Sequence, residues 1–220
     1  MLDGYRTLKW RVPAGLLCLS QNWARYHSGH ESHPPRRLPP EFGGSVSREE
    51  VNRLPIRRYA GSIRLVATAT DLQHAMQDIL QESVVGFDTE TRPAFRSGES
   101  YLPSLVQFAI ASAVYLLQMQ QHDLFDATRD VLSSPKVIKV GVSVTDDVRA
   151  LKKLFAFDER SMLDLGRVAR RHGLKQTDVR NLAAIFLGAR IPKGAKTTNW
   201  ATRRLSHPLQ GTEDCVMTSL

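Results

Sequence analysis

The chain has 220 residues, 42% of them hydrophobic and 24% charged, which suits one ordinary globular domain plus at most a modest extension. No apolar run reaches the roughly 18 residues a membrane helix needs, so collagen-like, wholly disordered and membrane-spanning classes fall away. Thirty basic residues against 22 acidic ones give +8, a balance that points to a polyanionic partner. The two cysteines, Cys18 and Cys215, form neither a disulfide framework nor a zinc spacing, and fit a reducing compartment.

Residues 1–32 open with Arg6, Lys9, Arg11 and Arg25 against the single acid Asp3, around an apolar stretch from Pro13 to Leu19. That is the balance of a mitochondrial presequence, and a basic extension without structure is the plain alternative. Residues 33–54 begin with HPPRRLPPEFGG, where proline and glycine leave helix and strand no place to settle, and read as a linker. Residues 55–220 are then one domain.

Inside it, residues 62–68 read as a strand and residues 71–81 as a helix with Asp71 near its start. SVVGFDTET is a buried strand, LVQFAIA and AVYLLQM a hairpin, DLFDATRDVLSS a helix, and KVIKVGVS another buried strand. TDDVRALKKLFAF predicts a helix with Val148, Leu151 and Phe155 on one face. MLDLGRVARRHG offers Leu163, Leu165 and Val168 as core, His172 and Gly173 end that helix, and DVRNLAAIFLG is a helix stopped by Gly188. Strands alternating with helices after an early hairpin predict an α/β fold with a mixed five-stranded sheet flanked by helices.

The densest chemical signal is GFDTETRP, residues 86–93. Residues two apart on a strand share a face, so Asp88 and Glu90 project together from the end of a buried strand. Paired carboxylates repel unless a cation lies between them, and oxygen-only ligation suits Mg²⁺ or Mn²⁺. An isolated D-x-E is more often a solvated acidic turn. Asp146 and Asp147 stand in the first turn of a helix, where the dipole alone accounts for most such pairs. The sharper reading turns Asp147 inward toward Asp88, since Val148 and Leu151 lie on the buried side near it. Asp214 is uninformative by itself.

Together, GFDTETRP, LPSLVQFA with AVYLLQM, KVIKVGVSVTDDVRALKKLF and LGARIPKGAKTTNWATRRLS, in that order, resemble the DEDD-type 3'-5' exonuclease family, the group of RNase D and the Werner exonuclease domain. The resemblance runs from about Leu54 to the last residue. It implies an RNase H-like fold and a two-metal phosphodiesterase, with Asp88, Glu90, Asp147 and Asp214 as catalytic metal ligands, two Mg²⁺ or Mn²⁺ ions, and single-stranded or frayed RNA or DNA as substrate. It also implies substrate contacts from Thr89, Phe95, Leu102, Lys193 and Trp200, although Trp200 more commonly belongs to a core than to a stacking surface. The third motif departs from the family: Gln210 and Leu209 stand where relatives carry a Tyr four residues, or a His five residues, before the last Asp. His207 is two residues too early. A catalytically impaired RNA-binding or scaffold subunit of a mitochondrial ribonucleoprotein is the alternative this departure raises.

Overall fold

In the computed structural model the described residues are 45–57, 59, 61–191, 199–202 and 205. The elements are α1 (Arg48–Arg53), β1 (Ser62–Leu65), α2 (Ala69–Gln81), β2 (Val84–Glu90), β3 (Leu105–Ala109), β4 (Ala113–Gln118), α3 (His122–Ser133), β5 (Ile138–Gly141), α4 (Val144–Leu151), β6 (Met162–Asp164), α5 (Leu165–Arg171) and α6 (Val179–Leu187).

Local chemistry sets the helix starts. At α2 the Thr68 hydroxyl accepts from the Asp71 backbone N–H, and Asp71 accepts from the Thr68 N–H at 2.9 Å, a capping box that satisfies donors on both sides of the cap. The same device, Ser47 with Glu50, builds the short helix α1 near the end of the segment read as a linker. The chain there is also pinned: Arg190 N–H donates to the Pro55 carbonyl at 2.9 Å, and Arg57 N–H donates to the Arg190 carbonyl at 3.2 Å.

The sheet has six strands in the order β1-β4-β3-β2-β5-β6, one more than the sequence predicted. The added strand is β6, three residues paired in parallel with β5, too short for any alternation to show. β2, β3 and β4 pair antiparallel through the expected hairpin, while β1 joins β4 and β5 joins β2 in parallel. A mixed sheet with helices packed on it is the α/β architecture expected.

Alternation along the strands divides the core in two. Val85 and Phe87 from β2, Val106 and Phe108 from β3, and Tyr115 and Leu117 from β4 face a cluster completed by residues of α2, α3 and α4, including Ile79, Leu132 and Leu151. Burying each such side chain contributes about 1.5–3 kcal/mol. The other face carries Leu105, Ala109, Val114 and Leu116, covered by Trp200 and Leu205.

Two expectations about the later helices need correction. α4 ends at Leu151, because tight bonds such as Leu154 N–H to the Leu151 carbonyl at 2.8 Å close the last turn. Phe155 therefore reaches the core from beyond the helix, stacked on Phe125 with ring centroids 5.2 Å apart. In α5 it is Gly166 and Ala169 that are buried, whereas Leu165 and Val168, like Leu163 of β6, are only half-buried. α6 stops at Gly188, whose φ of 56° suits a residue without a side chain.

One glycine fixes how α4 meets the sheet. A Cβ on Gly141 would lie 2.6 Å from the Val144 side chain and would collide with the Phe87 backbone carbonyl. The end of β5 can therefore run against β2 only without a side chain there. Gly141→Ala is expected to destabilise the fold by about 1–3 kcal/mol in urea unfolding, the range for overpacking a tight contact. An unchanged midpoint would show that the junction has room to relax.

Candidate active site

β2 ends in the three polar residues Asp88, Thr89 and Glu90, all half-buried after the fully buried Val85, Gly86 and Phe87. Phe87 packs against Phe108 with centroids 5.8 Å apart, which holds this end of the strand to the core. Register places Asp88 opposite Gln107 and Glu90 opposite Leu105, so both acids lie on the sheet face that Trp200 covers. Thr89 belongs to the opposite face, opposite Val106.

α4 brings the third acid. Its cap residue Ser143 has φ 63°, a left-handed turn that reverses the chain as it leaves β5. Asp146 then points outward and pairs with Arg149 at 2.7 Å, while Asp147 turns inward. The Thr89 hydroxyl donates to the Asp147 carboxylate at 2.5 Å. The helix spacing thus turns Asp147 inward and Asp146 outward, and Thr89 of β2 is the residue that hydrogen-bonds Asp147. The Thr89 backbone N–H meanwhile donates to Asp88 at 2.9 Å. Among the described residues, no three Asp, Glu, His or Cys side chains already form a group that could hold a metal ion.

Burial raises the Asp147 carboxyl above its ordinary range, the Thr89 hydrogen bond works against that rise, and the negative charges of Asp146 and Asp164 add to it. Asp164 itself caps α5 by accepting from the Arg167 N–H at 3.1 Å. The acids at this end of the sheet thus present an oxygen-only, net-negative donor set. That chemistry fits Mg²⁺ or Mn²⁺ and not a thiolate-seeking or imidazole-seeking ion.

The loop between β2 and β3 is organised around Glu99, which accepts from the backbone N–H groups of Phe95 at 3.2 Å and Arg96 at 3.3 Å. A hydrogen bond from the Tyr101 hydroxyl is the main cause that lowers the Glu99 carboxyl. The Arg92 guanidinium lies 3.6 Å from the centroid of the Tyr101 ring. Held this way, the loop leaves Phe95 79% exposed and Leu102 40% exposed, beside the end of β2.

The remaining candidates divide. Trp200 is 2% exposed and packs with Leu105 and Leu116, so its indole stands in the core, the commoner place for such a residue. Lys193, Asp214 and the third-motif positions His207, Leu209 and Gln210 lie outside the described residues. The sequence reading passed over Gln107, a polar residue inside the apolar run LVQFA and the cross-strand neighbour of Asp88.

Residues 63–210 match the 3'-5' exonuclease family, and the chain belongs to the DEDD-type 3'-5' exonuclease family. Ribonuclease D of Haemophilus influenzae is 32% identical over 146 residues, covering 65% of this chain and 36% of that protein, so the chain spans little more than a third of the relative. The Nibbler EXO domain of Aedes aegypti is similar in structure with a TM-score of 0.60 at 21% identity, over 71% of this chain and 83% of that one. The catalytic core of RRP6 from Trypanosoma brucei aligns with a TM-score of 0.63 at 16% identity, over 86% and 54% of the two chains. RNase D of Escherichia coli aligns at 0.59 with 14% identity, over 71% and 42%. These likenesses establish the RNase H-like fold.

The buried Asp147 gives a pH test. With its proton held more tightly in the folded than in the unfolded chain, ionised Asp147 costs stability at neutral pH. That cost disappears below the ordinary aspartate value of 3.8. Asp147→Asn, which still accepts from Thr89, is expected to raise the melting temperature of the metal-free protein at pH 7. The gain should shrink as the pH falls toward 4. An equal gain at both values would assign the effect to packing instead of charge.

Proposed function

We propose that this protein is a metal-dependent 3'-5' exonuclease that hydrolyses the terminal phosphodiester of single-stranded or frayed RNA or DNA and releases nucleoside monophosphates. The observation that carries the reading is the placement of Asp88, Glu90 and Asp147 at one end of β2, on a chain that belongs to the exonuclease family. That family generally uses divalent metals. Asp88, Glu90 and Asp147, with Asp214 from the third motif, would hold two Mg²⁺ or Mn²⁺ ions, which when bound stabilise the attacking and leaving oxygens of an in-line displacement.

The chain's own residues divide the remaining work. Thr89 fixes the Asp147 carboxylate by its hydroxyl and the Asp88 carboxylate by its backbone N–H, so one residue orients two acids. Phe95, exposed on a loop whose backbone Glu99 anchors, supplies an aromatic face on which a terminal base stacks, and the exposed Leu102 of the same loop adds apolar surface. Lys193 and the surplus of basic residues favour the phosphate backbone through counterion release. The named substrates of relatives, ribonuclease D above all, favour RNA. The basic N-terminal segment supports action in the mitochondrion.

The test is degradation of 5'-labelled single-stranded RNA and DNA with Mg²⁺ or Mn²⁺, beside Asp88→Ala purified identically. A ladder shortening from the 3' end, abolished by EDTA and reduced about 10³-fold or more by Asp88→Ala, is the expected result. No cleavage by a folded, metal-binding sample would move the reading to a non-catalytic RNA binder, with Gln210 and Leu209 as the cause.

A second measurement addresses the loop. Phe95→Ala is expected to leave the melting temperature unchanged and to raise KM for single-stranded RNA about tenfold, the loss of one stacked base. An unaltered KM would remove Phe95 from the substrate surface.

A further inference from the structure

Three polar or charged side chains are completely buried among the described residues: Lys139, Thr128 and Gln107. The Lys139 ammonium donates to the carbonyls of Ser134 at 2.8 Å and Val137 at 2.9 Å, and the Thr128 hydroxyl meets the Met119 sulfur at 4.0 Å. Gln107 differs, because among the described residues neither its amide nitrogen nor its amide oxygen has a partner.

Such a residue is expensive where it stands. Every other position of β3 is apolar and buried, and an unsatisfied buried polar group costs about 1–3 kcal/mol that a valine or leucine would avoid. The location suggests what the amide serves. Gln107 is the direct cross-strand partner of Asp88, and directly opposed residues of an antiparallel pair share a face with Cβ atoms about 4.5–5.5 Å apart. A glutamine amide spans that gap. Among the described residues of this face, Leu105, Ala109 and Leu116 are apolar and the Trp200 indole is itself a donor.

We infer that Gln107 is a positioning residue for Asp88: its Nε2 donates to the Asp88 carboxylate when a divalent cation is bound, holding one oxygen back so that the other faces the cation. The inference rests on the reading of Asp88 as a metal ligand. An ionised carboxylate only accepts, so the amide nitrogen is the half that engages it. Groups that orient a ligating carboxylate in this way typically carry 10–100-fold in metal affinity.

The experiment is Mn²⁺ titration calorimetry on the full chain, stripped of metal, for wild type, Gln107→Met, Gln107→Asn and Asp88→Asn, with thermal melts of each in EDTA. Gln107→Met is expected to melt at or above the wild-type temperature, because it removes an unsatisfied amide, yet to bind Mn²⁺ about 10–100-fold more weakly. Gln107→Asn, one methylene too short, is expected to bind more weakly as well, and it decides the matter should Gln107→Met not fold. Wild-type affinity in the folded Gln107 variant, alongside lost binding in Asp88→Asn, would overturn this inference alone. Absence of Mn²⁺ binding by the wild type, or undiminished binding by Asp88→Asn, would overturn the metal-ligand reading of Asp88 and this inference with it.

Discussion

The structure depends on hydrogen bonding along both edges of β2. This strand pairs antiparallel with β3 and parallel with β5, so the hairpin half and the helix-linked half of the sheet meet along it. A strand bonded on both edges and packed through Phe87 cannot shift by one residue without exchanging its faces, which would turn Asp88 and Glu90 into the helix-covered core and take Val85 and Phe87 out of it. Register here therefore serves stability and chemistry at once. The carboxylates are held at the strand's end because the apolar residues before them have no alternative position.

The second constraint is electrostatic. Asp147 is taken partly out of water by the packing of α4, with acidic neighbours that make its ionisation harder, and Thr89 offsets only part of that cost. A site that gathers negative charge in this way is poorly satisfied by the protein alone. If these acids hold a metal as proposed, that unfavourable energy is the counterpart of their affinity for the cation. The junction that sets α4 against the sheet is tight at Gly141.

The β2–β3 loop adds a different kind of order. Glu99, Tyr101 and Arg92 form a small polar frame with backbone N–H groups satisfied inside it, so an exposed aromatic such as Phe95 can be presented without collapsing onto the core. Trp200 is the opposite case. Its neighbourhood in the sequence is basic and glycine-containing, features that invite a nucleic-acid reading, but the indole is buried against the apolar face of β3 and β4.

Much of this was legible in the amino-acid sequence, because alternation and capping are local. The apolar runs around residues 84–90, 105–109 and 113–118 define strands and faces through a period of two. Helical spacing turns Asp147 inward and Asp146 outward, and Gly188 ends a helix because only a left-handed residue fits there. What the sequence could not carry was pairing across distance. β6 is too short to show a period, the helix at residues 48–53 rests on a capping box inside a segment read as linker, and the burial of Trp200 is decided by strands nearly a hundred residues away. The link from Thr89 to Asp147 and the facing of Gln107 with Asp88 likewise exist only once β2 is paired, since a hydrogen bond between residues 58 apart in the chain leaves no local pattern. Local propensity and periodicity fixed the kinds of elements and which side chains face inward. Only the tertiary structure decided which of those faces meet, because the free energy of that choice lies in contacts that no single segment contains.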